Sequence, residues 1–197
     1  MHGTATAAPL IDETDEADLH HRTPREAAER CLGLLAVVTR SLGRPRDDVL
    51  RWLDVHQLNG ILSLAEREFL VDASPPRQAI VDFGWRAEAL AALIWALGGI
   101  DDLEPLNRQV DLQAIAMFRT ADERPEAFLG AARLRPADEL DDAETFLYEQ
   151  HWRVHDARLN GTPMPPELDG GIVYERRYAL SWLVGWGDDW DDVPTDT

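Results

Sequence analysis

Lysine is missing altogether: the 19 basic residues of this 197-residue chain are all arginine. A Schiff-base lysine, a Walker-type phosphate lysine and the Ser-x-x-Lys nucleophile of penicillin-binding enzymes are therefore excluded together. Cysteine occurs once, at Cys31, so neither an intramolecular disulfide nor a thiolate zinc cage is available. Set among Leu32, Leu34 and Leu35, that thiol reads as packed and inert, in a reducing compartment. No apolar run reaches the length of a membrane span, and residues 1–19 are acidic where a signal peptide is positively charged and then apolar. The expectation is a cytoplasmic protein with no membrane partner. Positive charge is also scarce, with 37 Asp and Glu giving a formal net charge of −18. Such a surface repels nucleic acid instead of displacing its counterions, so no nucleic-acid partner is expected. There is no Gly-x-Ser-x-Gly elbow, no phosphate-cradling glycine loop and no cysteine matched to a histidine, which leaves acyl transfer and nucleotide hydrolysis without machinery.

What is present is helical punctuation. Residues 1–22 are Ala/Thr-rich and then acidic (Asp12, Glu13, Asp15, Glu16, Asp18), too polar to bury much, and are read as a flexible, disordered arm. A single domain is expected over residues 23–197. Thr23-Pro-Arg-Glu26 supplies a capping hydroxyl, a proline at the first helical position and a glutamate to bond back; Gly43 ends that helix. A second helix is expected over residues 47–58, and Ser63-Leu-Ala-Glu66 repeats the capping pattern for a third. Ser74-Pro-Pro opens a helix running to Leu97 before Gly98-Gly99, and short helices are expected near residues 111–118 and 125–132. Arg135-Pro136 starts a long helix that stops at Asn160-Gly161, and a last helix spans about residues 171–185. No strand pattern and no internal repeat is seen. The fold class is all-α: a compact bundle of about six to eight helices with a central buried helix and an extended C-terminal Trp/Asp tail.

Three of these helices carry charge where periodicity demands burial. In residues 78–97 apolar side chains point in nearly every direction, yet Arg86 and Glu88 sit among them. In the long helix Glu144, His151, His155 and Arg158 share one stripe between apolar flanks. In the last helix Glu175 projects between Trp182 and Trp186 and Arg176 projects beside Leu180 and Leu183, while Arg177 and Ser181 take the face expected to be wet. Unpaired ions cost several kcal/mol in a core, so these groups should find one another. The expected network joins Arg86, Arg158 and Arg176 to Glu88, Glu144 and Glu175, with His151 among them. Two readings stay open: buried Arg–carboxylate pairs that fix how the helices meet, or a pocket whose arginines hold a carboxylate or phosphate.

Metal chemistry has little support. His151 and His155 have the i, i+4 spacing of two ligands on one helix face, but the zincin pattern needs Glu where Trp152 stands. His155-Asp156 matches the dipeptide of the HD phosphohydrolases, but that site also needs a separate upstream His and a later Asp, for which His56 and Asp188 can be nominated only by convenience. The run Asp188-Asp-Trp-Asp-Asp192 lacks the glycine and terminal glutamate of an EF-hand loop, and the chain is too short for a terpene synthase. No metal and no cofactor is expected. Trp186 and Trp190, freed by Gly185 and Gly187, are read instead as a structural clasp lying on the helices, with the aspartates facing outward or capping helix N-termini.

Taken in order, Trp85-Arg-Ala-Glu-Ala-Leu, Ile94-Trp-Ala-Leu-Gly, His151-Trp, Asp156-Ala-Arg158, Val173-Tyr-Glu-Arg176, Ala179-Leu-Ser-Trp182 and Trp190-Asp-Asp-Val-Pro-Thr-Asp-Thr197 resemble the bacterial family known as domain of unknown function 4272. The resemblance spans about residues 24–197, with the arm before Thr23 as a departure. It implies that the buried charges and the Trp-Asp ending are family features, and it brings no activity, cofactor or catalytic residue. The function expected is a binding or adaptor module for a protein partner or a small anionic ligand. The alternative is a metal-dependent hydrolase-like enzyme centred on His151 and His155. Oligomeric state leaves no signature in the chain.

Overall fold

Eight α-helices and three short 3-10 turns make up the regular structure in the computed structural model, which describes residues 20–195. Most of the acidic arm, residues 1–19, and the last two residues lie outside the described residues. Helix α1 (Pro24–Ser41) begins at the expected box, in which Thr23 Oγ1 accepts the Glu26 N–H at 3.2 Å and the Glu26 carboxylate accepts the Thr23 N–H at 2.8 Å. Helices α2 (Arg46–Val55) and α3 (Leu64–Val71) follow, the latter opened by the same reciprocal bonding of Ser63 and Glu66. Then come α4 (Arg77–Ala96), α5 (Ala116–Glu123), α6 (Pro125–Ala131), α7 (Ala137–Asn160) and α8 (Gly170–Val184). The second helix is shorter than expected, because Gln57 turns left-handed at φ 56° and the Leu58 N–H bonds back to Leu53 O at 2.8 Å, closing the helix before a separate 3-10 turn, Asn59–Ile61.

The main packing order is α1 on α4, α4 on α8 and α8 on α7, with the shorter helices α2, α3, α5 and α6 gathered around α1. This order explains which helices lose contact with water. From Ile172 to Val184 every residue of α8 except Tyr174 is buried, since α4 covers one side and α7 another. Helix α4, expected to be buried all round, is so only from Glu88 to Ala96; its first half packs one side on the core, with Phe83 stacked on Phe69, and leaves Ile80, Val81 and Asp82 exposed. No helix among the described residues is long and apolar enough to cross a membrane.

Both ends of the described chain are tied to α8. Order begins before Thr23: the Arg22 N–H donates to the Leu183 carbonyl at 2.8 Å, and its guanidinium donates to Gly187 O at 2.5 Å while lying over the Trp182 ring. Gly185 makes this approach feasible, because at φ +108° a side chain is strained and a Cβ there would meet the His20 backbone at 2.8 Å. The C-terminal segment folds back through the 3-10 turn Trp190–Asp192 and buries Trp190 edge-on against Trp182 and Tyr178. The Tyr178 hydroxyl donates to Trp190 O, and Asp191 Oδ2 accepts the Ala65 N–H at 3.0 Å at the start of α3. The clasp is thus built mainly by Trp190, whereas Trp186 is only half-buried.

Candidate functional site

The charges on α8 resolve into separate groups on different sides of the helix. Arg176 and Glu88 are the most deeply enclosed, 1% and 2% exposed. Arg176 Nε and Nη2 donate to Glu88 Oε2 at 2.9 and 2.8 Å, and its Nη1 donates to the Glu104 carbonyl. The remaining carboxylate oxygen, Glu88 Oε1, accepts the Val110 N–H at 2.8 Å. Each nitrogen of the guanidinium and each oxygen of the carboxylate is therefore occupied by protein. The pair joins α4 to α8 and straps the 104–110 connection across both, which is a structural task.

A second group faces α7. His151 Nδ1 accepts from Arg177 Nη1 at 2.6 Å, which fixes the neutral ring as the Nε2–H tautomer. Burial foremost, then the positive charges of Arg177 and Arg158 and the neighbouring His155, push His151 down to about 4. Arg177 also donates to Thr195 O at 3.1 Å and lies over the Tyr148 ring. Beside it the Ser181 hydroxyl donates to Glu144 at 2.8 Å; burial raises the Glu144 carboxyl, with that bond and Arg177 opposing. Arg177 and Ser181, expected on the wet face, are 4% and 1% exposed because α7 and the returning C-terminal segment cover them.

The third group lines an open cleft of about 480 Å³ between α4, the end of α7 and the start of α8. Arg86 donates to Glu175 at 3.2 Å and rests on the Tyr178 ring, its carbon 4.5 Å from the centroid. Burial raises the Glu175 carboxyl and Arg86 opposes the rise. Arg158 stands on the opposite wall, exposed and with no ion pair among the described residues. It leaves the expected network because the three carboxylates are taken by other groups, Glu88 by Arg176, Glu144 by Ser181 and Glu175 by Arg86, while Arg158, in the last turn of α7, lies beside Gly170 at the start of α8. Two glycines shape the wall between them. A Cβ at Gly170 would fall 2.5 Å from Arg158 Nη2, and one at Gly171 would fall 3.0 Å from the Trp85 ring. Asp169 caps α8 by accepting the Gly171 N–H at 2.8 Å, so a ligand here meets side chains before free helix-end amides.

Of the expected site residues, then, Arg86 and Glu175 meet in this cleft with Arg158, Arg176 and Glu88 form a separate buried pair, and Glu144 and His151 belong to the α7 side. His155 is half-buried against the Trp152 ring, and His56 bonds Glu126 at 2.6 Å far along the chain. Among the described residues no three His, Cys, Asp or Glu side chains come together as a metal set. Sequence reasoning missed one buried pair, Arg30 with Glu66, which joins α1 to α3 under the Trp190 ring. The available signal was Gly33, one turn on from Arg30: a Cβ there would lie 2.0 Å from Arg30 Nη2.

The chain matches the family model described as a domain of unknown function (DUF4272) over residues 2–193. The match includes the acidic segment before Thr23 that had been read as a departure from the family pattern. Neither a curated protein nor a solved structure matches the chain.

Proposed function

Given that the chain belongs to the DUF4272 family, whose description assigns no activity, we propose that it acts as a binding module for a small anionic ligand, taken into the cleft between α4, α7 and α8. The observation that carries this reading is Arg158. Of the two arginines that line the cleft, Arg86 is bonded to Glu175, whereas Arg158 has no ion pair among the described residues. A guanidinium there presents a planar fork to a carboxylate or phosphate and carries no desolvation cost until the ligand arrives. Trp85 and Tyr174 add apolar and aromatic surface to the same cleft, which suits an anion with a hydrophobic body. Arg86 lines the same cleft but is already bonded to Glu175 at 3.2 Å.

Isothermal titration calorimetry with 3-phenylpropanoate tests the reading. An exposed ion pair contributes about 0.2–1 kcal/mol, so Arg158→Gln should weaken binding by up to about fivefold. Arg176→Met is the contrasting variant: its side chain is already committed to Glu88, so any loss of binding there should track loss of fold and not loss of an anion contact. Equal affinity in the parent and in Arg158→Gln would remove the cleft from consideration.

A further inference from the structure

The cleft is not uniformly positive. Its four charged side chains are Arg86 and Arg158 on one count and Asp82 and Glu175 on the other, so its formal charge is zero. Arg86 and Glu175 neutralise each other. That leaves Arg158 and Asp82, neither in an ion pair among the described residues; the Asp82 carboxylate takes only the Gln78 amide, one turn back on α4, at 2.8 Å. They come from different helices, α7 and α4, with the Trp85 indole and the closed Arg86–Glu175 pair also lining the space. Asp82 enters the cleft from α4 beside Arg86 and Trp85, whereas Arg158 lies beside Gly170 at the start of α8.

An anion alone satisfies half of this arrangement and is repelled by the other half. Building on the anionic-ligand reading, we infer that the ligand is a small zwitterion, its carboxylate bound by Arg158 and its ammonium group by Asp82, with an apolar body against Trp85. An amine adds two complementary effects here: attraction to an uncompensated carboxylate, and cation–π attraction to the aromatic wall. A space of about 480 Å³ accommodates molecules of amino-acid size. The surrounding chain, at a net charge of −18, favours the cationic end over a plain anion at every stage of approach.

The test compares zwitterions of two charge spacings with their deaminated counterparts: L-phenylalanine against 3-phenylpropanoate, and 4-(aminomethyl)benzoate against 4-methylbenzoate. Calorimetric titration at pH 7 and low salt should find at least one zwitterion bound about fivefold more tightly than its partner, the upper range for a partly exposed ion pair. Asp82→Asn, a surface change on the exposed half of α4, should erase that advantage and leave the affinity for the anions equal or improved. Should both anions bind as well as the zwitterions, or should the advantage survive in Asp82→Asn, the zwitterion assignment is overturned while the anion site stands. Failure of all four molecules to bind overturns both.

Discussion

Replacing Glu88 by Gln is the most informative perturbation of the interior, because it removes one charge and almost no volume. Arg176 would then be a guanidinium 1% exposed to solvent with no counter-ion, held only by neutral acceptors such as the Glu104 carbonyl. Leaving one partner of a buried pair uncompensated costs about 3–5 kcal/mol. For a chain of this size each kcal/mol lowers Tm by about 2–4 °C, so the loss should read as roughly 6–20 °C by calorimetry or circular dichroism. Removing both charges tests the coupling. In the Glu88→Met, Arg176→Met double variant the Val110 N–H and Glu104 carbonyl lose their partners, at about 1–3 kcal/mol each, so recovery is partial. The double variant should nonetheless be more stable than the sum of the single changes predicts, by about 1–3 kcal/mol. A Glu88→Gln protein melting within about 2 °C of the parent would refute the reasoning, since a shift that small is under about 1 kcal/mol.

A chain ending at Gly187 loses the buried Trp190, the acceptor of the Tyr178 hydroxyl and the Asp191 cap on α3, and should be about 3–5 kcal/mol less stable by denaturant titration. Gly33→Ala drives Arg30 off Glu66 and should cost roughly 1–3 kcal/mol. Gly130→Ala, in α6 with nothing within 4 Å, should instead gain up to about 1 kcal/mol. The His151 ring, followed by NMR from pH 7 downward, should stay neutral with Nε2 protonated until about pH 4. Its folded value lies below the unfolded 6.5, so the unfolded chain binds the proton first. The stability His151 contributes is therefore complete above pH 6.5 and declines as pH falls toward 4, and His151→Gln should flatten that decline.

Local chemistry made much of the fold legible. Thr23 with Glu26 and Ser63 with Glu66 form the boxes their spacing implies, and Gly161 and Gly185 end α7 and α8 in left-handed conformations, as a C-terminal glycine should. The buried pairs were partly legible for the same reason: Glu88 and Arg176 stand in apolar surroundings that only a partner can relieve. Orientation was harder. Helix α8 is covered on nearly every side, so a 100° projection has no wet face to find, and Arg177 and Ser181 were misplaced. Arg158 shows the converse error, because periodicity extends a buried stripe to the end of α7 although Arg158 there opens onto an exposed cleft beside the first residue of α8. Arg30 and Glu66 lie 36 positions apart on helices whose contact depends on the whole fold, and only Gly33 hinted at the space between them.

The division in the cleft region between Arg176, committed to protein, and Arg158, left for a ligand, is tested most directly in the arginine Nε–H region of the ¹⁵N–¹H NMR spectrum during titration with 4-methylbenzoate. The Arg158 resonance should move with ligand while that of Arg176, bonded to Glu88 at 2.9 Å, stays in place. Movement of Arg176 with Arg158 unmoved would contradict the account, placing the responsive charge in the interior and not in the cleft.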